Sequence, residues 1–198
     1  MAWIFLAVWT ERRSRTVIRL KSRSQRIRPR LFLRDLTTIA LCAALLIVVK
    51  IALAVPILPN IELVSLFVML FTLTFERRVL PMIYVFVLAN GLIYGFDLRW
   101  WSAYLYVWTI LAGLTWLCRR SEAPLTFATL SGAFGLCFGA LCSIPYLFMG
   151  GPAAMFGYWV LGIPFDLLHG GANFAICLVL WKPLFALLGQ LQKKQTSE

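Results

Sequence analysis

Residues 35–55 read DLTTIALCAALLIVVKIALAV. Between Asp35 and Lys50 the stretch carries no charge, and its length matches the roughly 20 residues a helix needs to cross a hydrocarbon core of about 30 Å. It stops before Pro56 and Pro59. The same character recurs at 61–75 (IELVSLFVMLFTLTF), 79–96 (VLPMIYVFVLANGLIYGF), 100–118 (WWSAYLYVWTILAGLTWLC), about 125–149, and about 155–181, where Pro164 is expected to interrupt the helix. Of the 198 residues, 61% are hydrophobic and 14% charged, a composition far too apolar for a soluble domain. The expected fold is all-α: a polytopic membrane protein with six transmembrane helices.

Charge sets the expected orientation. Ten of the nineteen basic residues precede residue 35, and Arg77, Arg78, Arg119, Arg120, Lys182, Lys193 and Lys194 lie at alternate span ends or beyond the last. With the N-terminus cytoplasmic, seventeen fall inside and only Lys50 and Arg99 lie towards the other face, so both termini are expected in the cytoplasm. This distribution also explains the net charge of +11 without nucleic acid. Residues 1–34 form a basic cytoplasmic tail, read either as an anchor on anionic lipid or as an unordered segment. The membrane domain covers 35–188, and 189–198 is a cytoplasmic C-terminal tail. Cys42, Cys118, Cys137, Cys142 and Cys177 lie in or at the ends of apolar segments without a CxxC pair and read as small core residues.

Non-basic polar residues gather in the outer half of this topology. Asn60 and Glu62 open the second span, Asn90 lies in the third, and Asp166, His169 and Asn173 follow one another in the sixth. The i, i+3, i+7 spacing of the last three places them on one helical face. Gly170 and Gly171 beside them allow a close approach. Charges inside a bilayer are costly and kept for a reason. One reading is a ligand-facing stripe; the other is an Asp–His pair and an asparagine gluing helices together. Glu62 divides the same way, between substrate and a structural pairing with Lys50 or Arg99. Trp100, Trp101, Tyr104, Tyr158 and Trp159 fit an interfacial belt or aromatic walls for a flat ligand.

No HExxH, GxSxG, CxxC or nucleotide-binding loop occurs, and one histidine cannot build a multi-histidine metal site. No metal, no cofactor and no enzymatic activity of the chain's own are expected. The alternatives are a membrane-embedded hydrolase or transferase using Asp166 and His169, with Ser65, Ser102, Ser131 or Ser143 as nucleophile, and a self-sufficient small transporter or channel. Ala40 and Ala44 form a small-xxx-small pair, and Gly132, Gly135 and Gly139 lie near one face of the fifth span. Each face serves either internal packing or, for the alanines, docking onto another membrane protein.

PNIELVSLFVMLFTLTF, YVFVLANGLIYGF, SAYLYVWTILAGL, GLCFGALCSIPY and YWVLGIPFDLLHGGANF, together with the early alanine pair, resemble the substrate-binding S component of an energy-coupling-factor (ECF) vitamin transporter over about residues 35–188. The resemblance implies a protein of the bacterial plasma membrane that captures a vitamin-like small molecule from outside. It implies docking through Ala40 and Ala44 onto a transmembrane coupling subunit bound to two ATPases, where ATP is used, and toppling of the S component to release substrate. A cobalamin-type ligand leads by this resemblance, ahead of pyrimidine, queuosine-related or flavin-like compounds. Asn60, Glu62, Asn90, Trp100, Trp101, Tyr104, Tyr158, Trp159, Asp166, His169 and Asn173 are the expected substrate-binding residues.

Overall fold

A computed structural model describes residues 29–52 and 63–197. The basic tail ahead of residue 29, and Asn60 and Glu62, lie outside the described residues. The chain divides into two compact units, Met1–Leu36 and Thr37–Glu198. The described part of the first is the opening of helix α1, and the second is a bundle of helices.

All regular structure among the described residues is helical: α1 (Pro29–Ala52), α2 (Val64–Phe75), a 3-10 turn (Glu76–Arg78), α3 (Val79–Tyr94), α4 (Trp101–Leu117) and a long element, Pro124–Ser197. That element is two helices, because Gly151 breaks it at φ 76°, ψ −174°. We call residues 124–150 α5 and 152–197 α6. The break sits where the sequence permits it. Gly151 takes a positive φ without a Cβ penalty, and Pro152 disfavours the helical region for the residue before it. Proline is also well suited to the first turn of the new helix. Pro164, by contrast, does not interrupt α6, which runs through it unbroken to Ser197. The helix therefore includes residues 189–197 of the expected C-terminal tail.

The two arms return on each other as an antiparallel hairpin. Tyr146 stacks on Tyr158 at 4.2 Å near the turn, and Phe127 stacks on Trp181 at 4.0 Å at the far end. Between these contacts the backbones nearly touch. A Cβ on Gly135 would lie 2.8 Å from Gly170 Cα, and one on Gly170 would lie 3.0 Å from the Gly132 carbonyl oxygen. The Gly132/Gly135/Gly139 face is thus internal packing, turned to α6.

α2 is buried on most sides, with Val64, Leu66, Val68, Met69, Leu70 and Phe71 all in the core. α4 packs against α2, α3 and the hairpin, and closes the core with Ala103, Val107, Trp108 and Leu111. α1 adds one face through Ala43, Leu46 and Val49, while Ala40 and Ala44 are exposed.

The distribution of polarity inverts that of a soluble protein. Large apolar side chains stand exposed along the helices, Leu92 at 72% and Phe148 at 84% among them, while Ser65, Thr72, Asn90, Thr115, Ser131, Ser143, Asp166, His169 and Asn173 are buried. Soluble monomers rarely expose apolar area on that scale. Two elements, Leu33–Ala52 and Pro124–Gln192, are long and apolar enough to cross a membrane. Together these features point to membrane association.

Replacing Gly135 with leucine should be poorly tolerated, because overpacking a fixed contact costs about 1–3 kcal/mol or more. Folded yield and melting temperature in detergent should both fall. Gly113→Ala, which meets nothing within 4 Å, should leave both unchanged; equal behaviour of the two variants would refute the close backbone contact.

Candidate functional site

The hairpin sets where the polar face of α6 can go. Asp166, His169 and Asn173 lie on the inward side at 5%, 2% and 2% exposure, as the helical spacing requires. They are held in different ways. Asn173 Nδ2 donates to Ser65 Oγ at 3.2 Å, tying α6 to α2. Asp166 Oδ1 accepts from the Gly139 backbone N–H at 2.8 Å, tying α6 to α5, at a glycine where a Cβ would collide with the carboxylate. Asp166 Oδ2, His169 Nδ1 and His169 Nε2 have no hydrogen-bond partner among the described residues. His169 meets Phe138 edge-on at 4.9 Å.

Other buried polar groups of the bundle sort cleanly into two kinds. Thr72 and Thr115 donate back to the carbonyls of Val68 and Leu111, each at 2.7 Å, and Ser143 donates to Ala140 at 2.7 Å. Such local bonds let a hydroxyl sit in an apolar helix at little cost. Asn90 Oδ1, Trp108 Nε1 and Ser131 Oγ, like the three atoms on α6, are buried and unpartnered. An unsatisfied buried polar group costs about 1–3 kcal/mol.

Aromatic side chains join these groups. Phe138 packs on Trp108 at 5.7 Å, and Trp108 meets Phe134 at 6.0 Å, Phe86 at 6.0 Å and Tyr104 at 5.5 Å. Trp100 abuts Tyr104 at 5.5 Å. Lys50 Nζ donates to the Tyr104 hydroxyl at 2.8 Å and sits 4.8 Å from the Tyr104 ring centre. Asn90 lies one turn along α3 from Phe86, whose carbonyl accepts its Nδ2 at 2.9 Å. The continuous wall is therefore Trp100, Tyr104, Phe86, Trp108, Phe134, Phe138 and His169.

Of the residues expected to bind substrate, Trp100, Tyr104, Asp166 and His169 belong to this assembly, with Asn90 at its edge. Asn173 is engaged as a helix tie. Trp101 donates from Nε1 to the Val87 carbonyl at 3.0 Å and packs on Phe96 at 5.0 Å, pinning α4 to α3 over Gly91. Tyr158 and Trp159 stand more than a third exposed near the start of α6, stacked on Tyr146 and set against Phe156. Trp108, Phe134 and Phe138 were not marked out in the sequence; Ser131 was singled out only as a candidate nucleophile and Lys50 only as a possible partner of Glu62. Within apolar segments Phe134 and Phe138 look like ordinary core. Only the N–H of Trp108, the hydroxyl of Ser131 and the charge of Lys50 offered a signal.

The Asp166–His169 hydrogen bond that a triad requires is not formed, and none of Ser65, Ser102, Ser131 or Ser143 bonds to His169. Among the described residues, no group of three or more His, Cys, Asp or Glu is placed to hold a metal ion. Outside the helices, the Arg99 side chain bonds Asp97 and holds its carboxyl down to about 2, so this exposed pair stays ionised and locally neutral. Set against known protein families, curated proteins and solved structures, the chain finds no significant match.

The two kinds of polar group should respond oppositely to mutation. Asn173→Ala removes an interhelical bond and should lower the melting temperature of ligand-free protein, by an amount equivalent to about 0.5–1.5 kcal/mol. His169→Phe removes two unpartnered nitrogens and keeps an aromatic ring, so melting should stay level or rise. A large loss of stability in His169→Phe would show that the imidazole is a structural tie.

Proposed function

We propose that the chain is a six-span plasma-membrane protein that serves as the substrate-binding component of an ECF-type importer. In this reading it takes up a vitamin-like small molecule from outside and depends on a coupling subunit and two ATPase subunits for energy. The observation that carries the reading is the set of buried, unpartnered polar atoms on Asp166, His169, Asn90, Trp108 and Ser131, of which His169 and Trp108 belong to the aromatic cluster. Purely structural polar residues would be expected to satisfy themselves, as Thr72, Thr115, Ser143 and the Asn173–Ser65 pair do. Groups kept buried without partners are instead suited to meet a solute.

Two further features support it. Ala40 and Ala44 are exposed beside Leu41, Leu45 and Val48, leaving a smooth apolar face free for a helix of a coupling subunit. Lys50 is bonded to Tyr104 and Arg99 to Asp97, so the two basic residues assigned to the outer side are both partnered there.

Mass spectrometry of protein purified from its native membrane should find a bound small molecule at near-stoichiometric amount. Replacing Ala40 and Ala44 together with tryptophan should abolish cellular uptake, by tenfold or more, while purified protein keeps that molecule. If the double variant loses the molecule as well, the alanine face serves internal packing and the docking role fails.

A further inference from the structure

Packing alone does not account for the reversal between α2 and α3. Glu76 ends α2 at φ 51°, ψ −123°, and no other non-glycine residue among the described ones has a positive φ. Glycine favours such a combination, and a larger residue is strained in it. Two main-chain bonds hold the conformation: the Glu76 N–H donates to the Thr72 carbonyl, and the Val79 N–H to the Glu76 carbonyl. Gln192 on α6 donates to the Thr74 carbonyl and ties the turn to the hairpin.

The strained corner changes what neighbouring side chains can share. On a continuous helix consecutive residues point apart. Here Thr74, Phe75, Glu76, Arg77 and Arg78 line one open cavity of about 340 Å³, and the last three are exposed. Glu76 and Arg77 form no hydrogen bond or ion pair among the described residues, although the exposed Asp97 and Arg99 close on each other. Two guanidiniums against one carboxylate leave the cavity net positive. A guanidinium presents a planar fork of donors that matches a phosphate. A carboxylate only accepts, so whatever faces Glu76 must donate. The ligand that fits is an anion with a hydroxyl beside its phosphate. α3 decides between a free and a lipid-borne one. Leu80, Tyr84 and Leu88 follow the cavity at i, i+4 and i+8, all exposed, and form an apolar strip on one face of the helix. A free phosphate has no use for that strip, whereas an acyl chain does.

We infer that this turn seats one anionic phospholipid, its phosphate held by Arg77 and Arg78, a headgroup hydroxyl donating to Glu76, and an acyl chain lying along Leu80, Tyr84 and Leu88. The inference needs only membrane association and stands apart from the substrate-binding reading.

The test takes the full chain in detergent, adds phosphatidylglycerol, phosphatidylethanolamine or phosphatidylcholine, and counts retained lipids by native mass spectrometry. Wild-type protein should keep one phosphatidylglycerol and prefer it about tenfold over the two zwitterionic lipids, a margin within reach of two basic side chains at a membrane surface. Arg77→Gln combined with Arg78→Gln should erase that preference. Arg119→Gln combined with Arg120→Gln removes the same charge from outside the cavity and should leave it intact. Equal loss in both double variants reduces the effect to general surface charge and overturns the seat. Equal retention of phosphatidylethanolamine overturns the assigned headgroup. If inorganic phosphate or soluble glycerophosphoglycerol binds as tightly as the lipid, the apolar strip contributes nothing and the lipid is overturned. Should the glutamine variants fail to fold, the wild-type ranking of the three headgroups decides without them: no preference for phosphatidylglycerol refutes the proposal.

Discussion

The bundle depends on the close approach of α5 and α6 at Gly135 and Gly170. In lipid no hydrophobic drive pushes two apolar helices together, so they need small residues that let backbones touch. The glycines provide this at the height where the bond between Asp166 and the Gly139 N–H crosses the same interface. Contact and bond support each other. Without a Cβ at Gly139 the carboxylate can reach the main chain, and the bond in turn fixes the rotation of α6. That rotation carries His169 to the aromatic wall and Asn173 to Ser65.

Once the rotation is fixed, the polar stripe on α6 holds atoms of two kinds, bonded and unpartnered. Asn173 is a tie, and Asp166 is a tie through one oxygen. His169 has neither nitrogen engaged. The helix-glue part of that stripe is therefore visible atom by atom, in Asn173 and in one oxygen of Asp166. A wholly structural stripe would resemble Asn173 throughout; an entirely functional one would have no means of holding its own geometry.

Much of the helical fold was legible because long apolar runs between charged or glycine- and proline-bearing breaks set where helices begin and end. The expected segments 79–96 and 100–118 correspond to Val79–Tyr94 and Trp101–Leu117 within two residues at either end. The inward face of Asp166, His169 and Asn173 followed from their spacing alone. The break at Gly151 falls in the gap left between the expected segments 125–149 and 155–181, but the additional interruption expected at Pro164 is not formed. In a packed apolar helix, neighbours absorb the bond lost at Pro164, whereas Gly151 can enter a region of φ closed to other residues. The aromatic wall was harder to read. Phe134 and Phe138 differ from core phenylalanines only in what stands opposite them, which depends on how α4 and α5 meet. Trp101 misled for the reverse reason: beside Trp100 it resembles a ligand-stacking pair, but its N–H is committed to Val87.

The two small-residue faces separate for a related reason. Gly132, Gly135 and Gly139 lie opposite a glycine and a carboxylate, and the interface they form is complete within the chain. Ala40 and Ala44 have the same spacing but turn outward, with Ala43 between them buried at 1% exposure. Unlike α2, α1 buries only one side of itself in the bundle. α1 commits Ala43, Leu46 and Val49 to that side, so its alanine ridge has only lipid or a second protein to meet. Small residues gain little by facing lipid, since they offer less contact surface than the leucines around them. Their place on the outer ridge offers little contact to lipid and a close approach to another helix, which is what the proposed docking role of α1 requires.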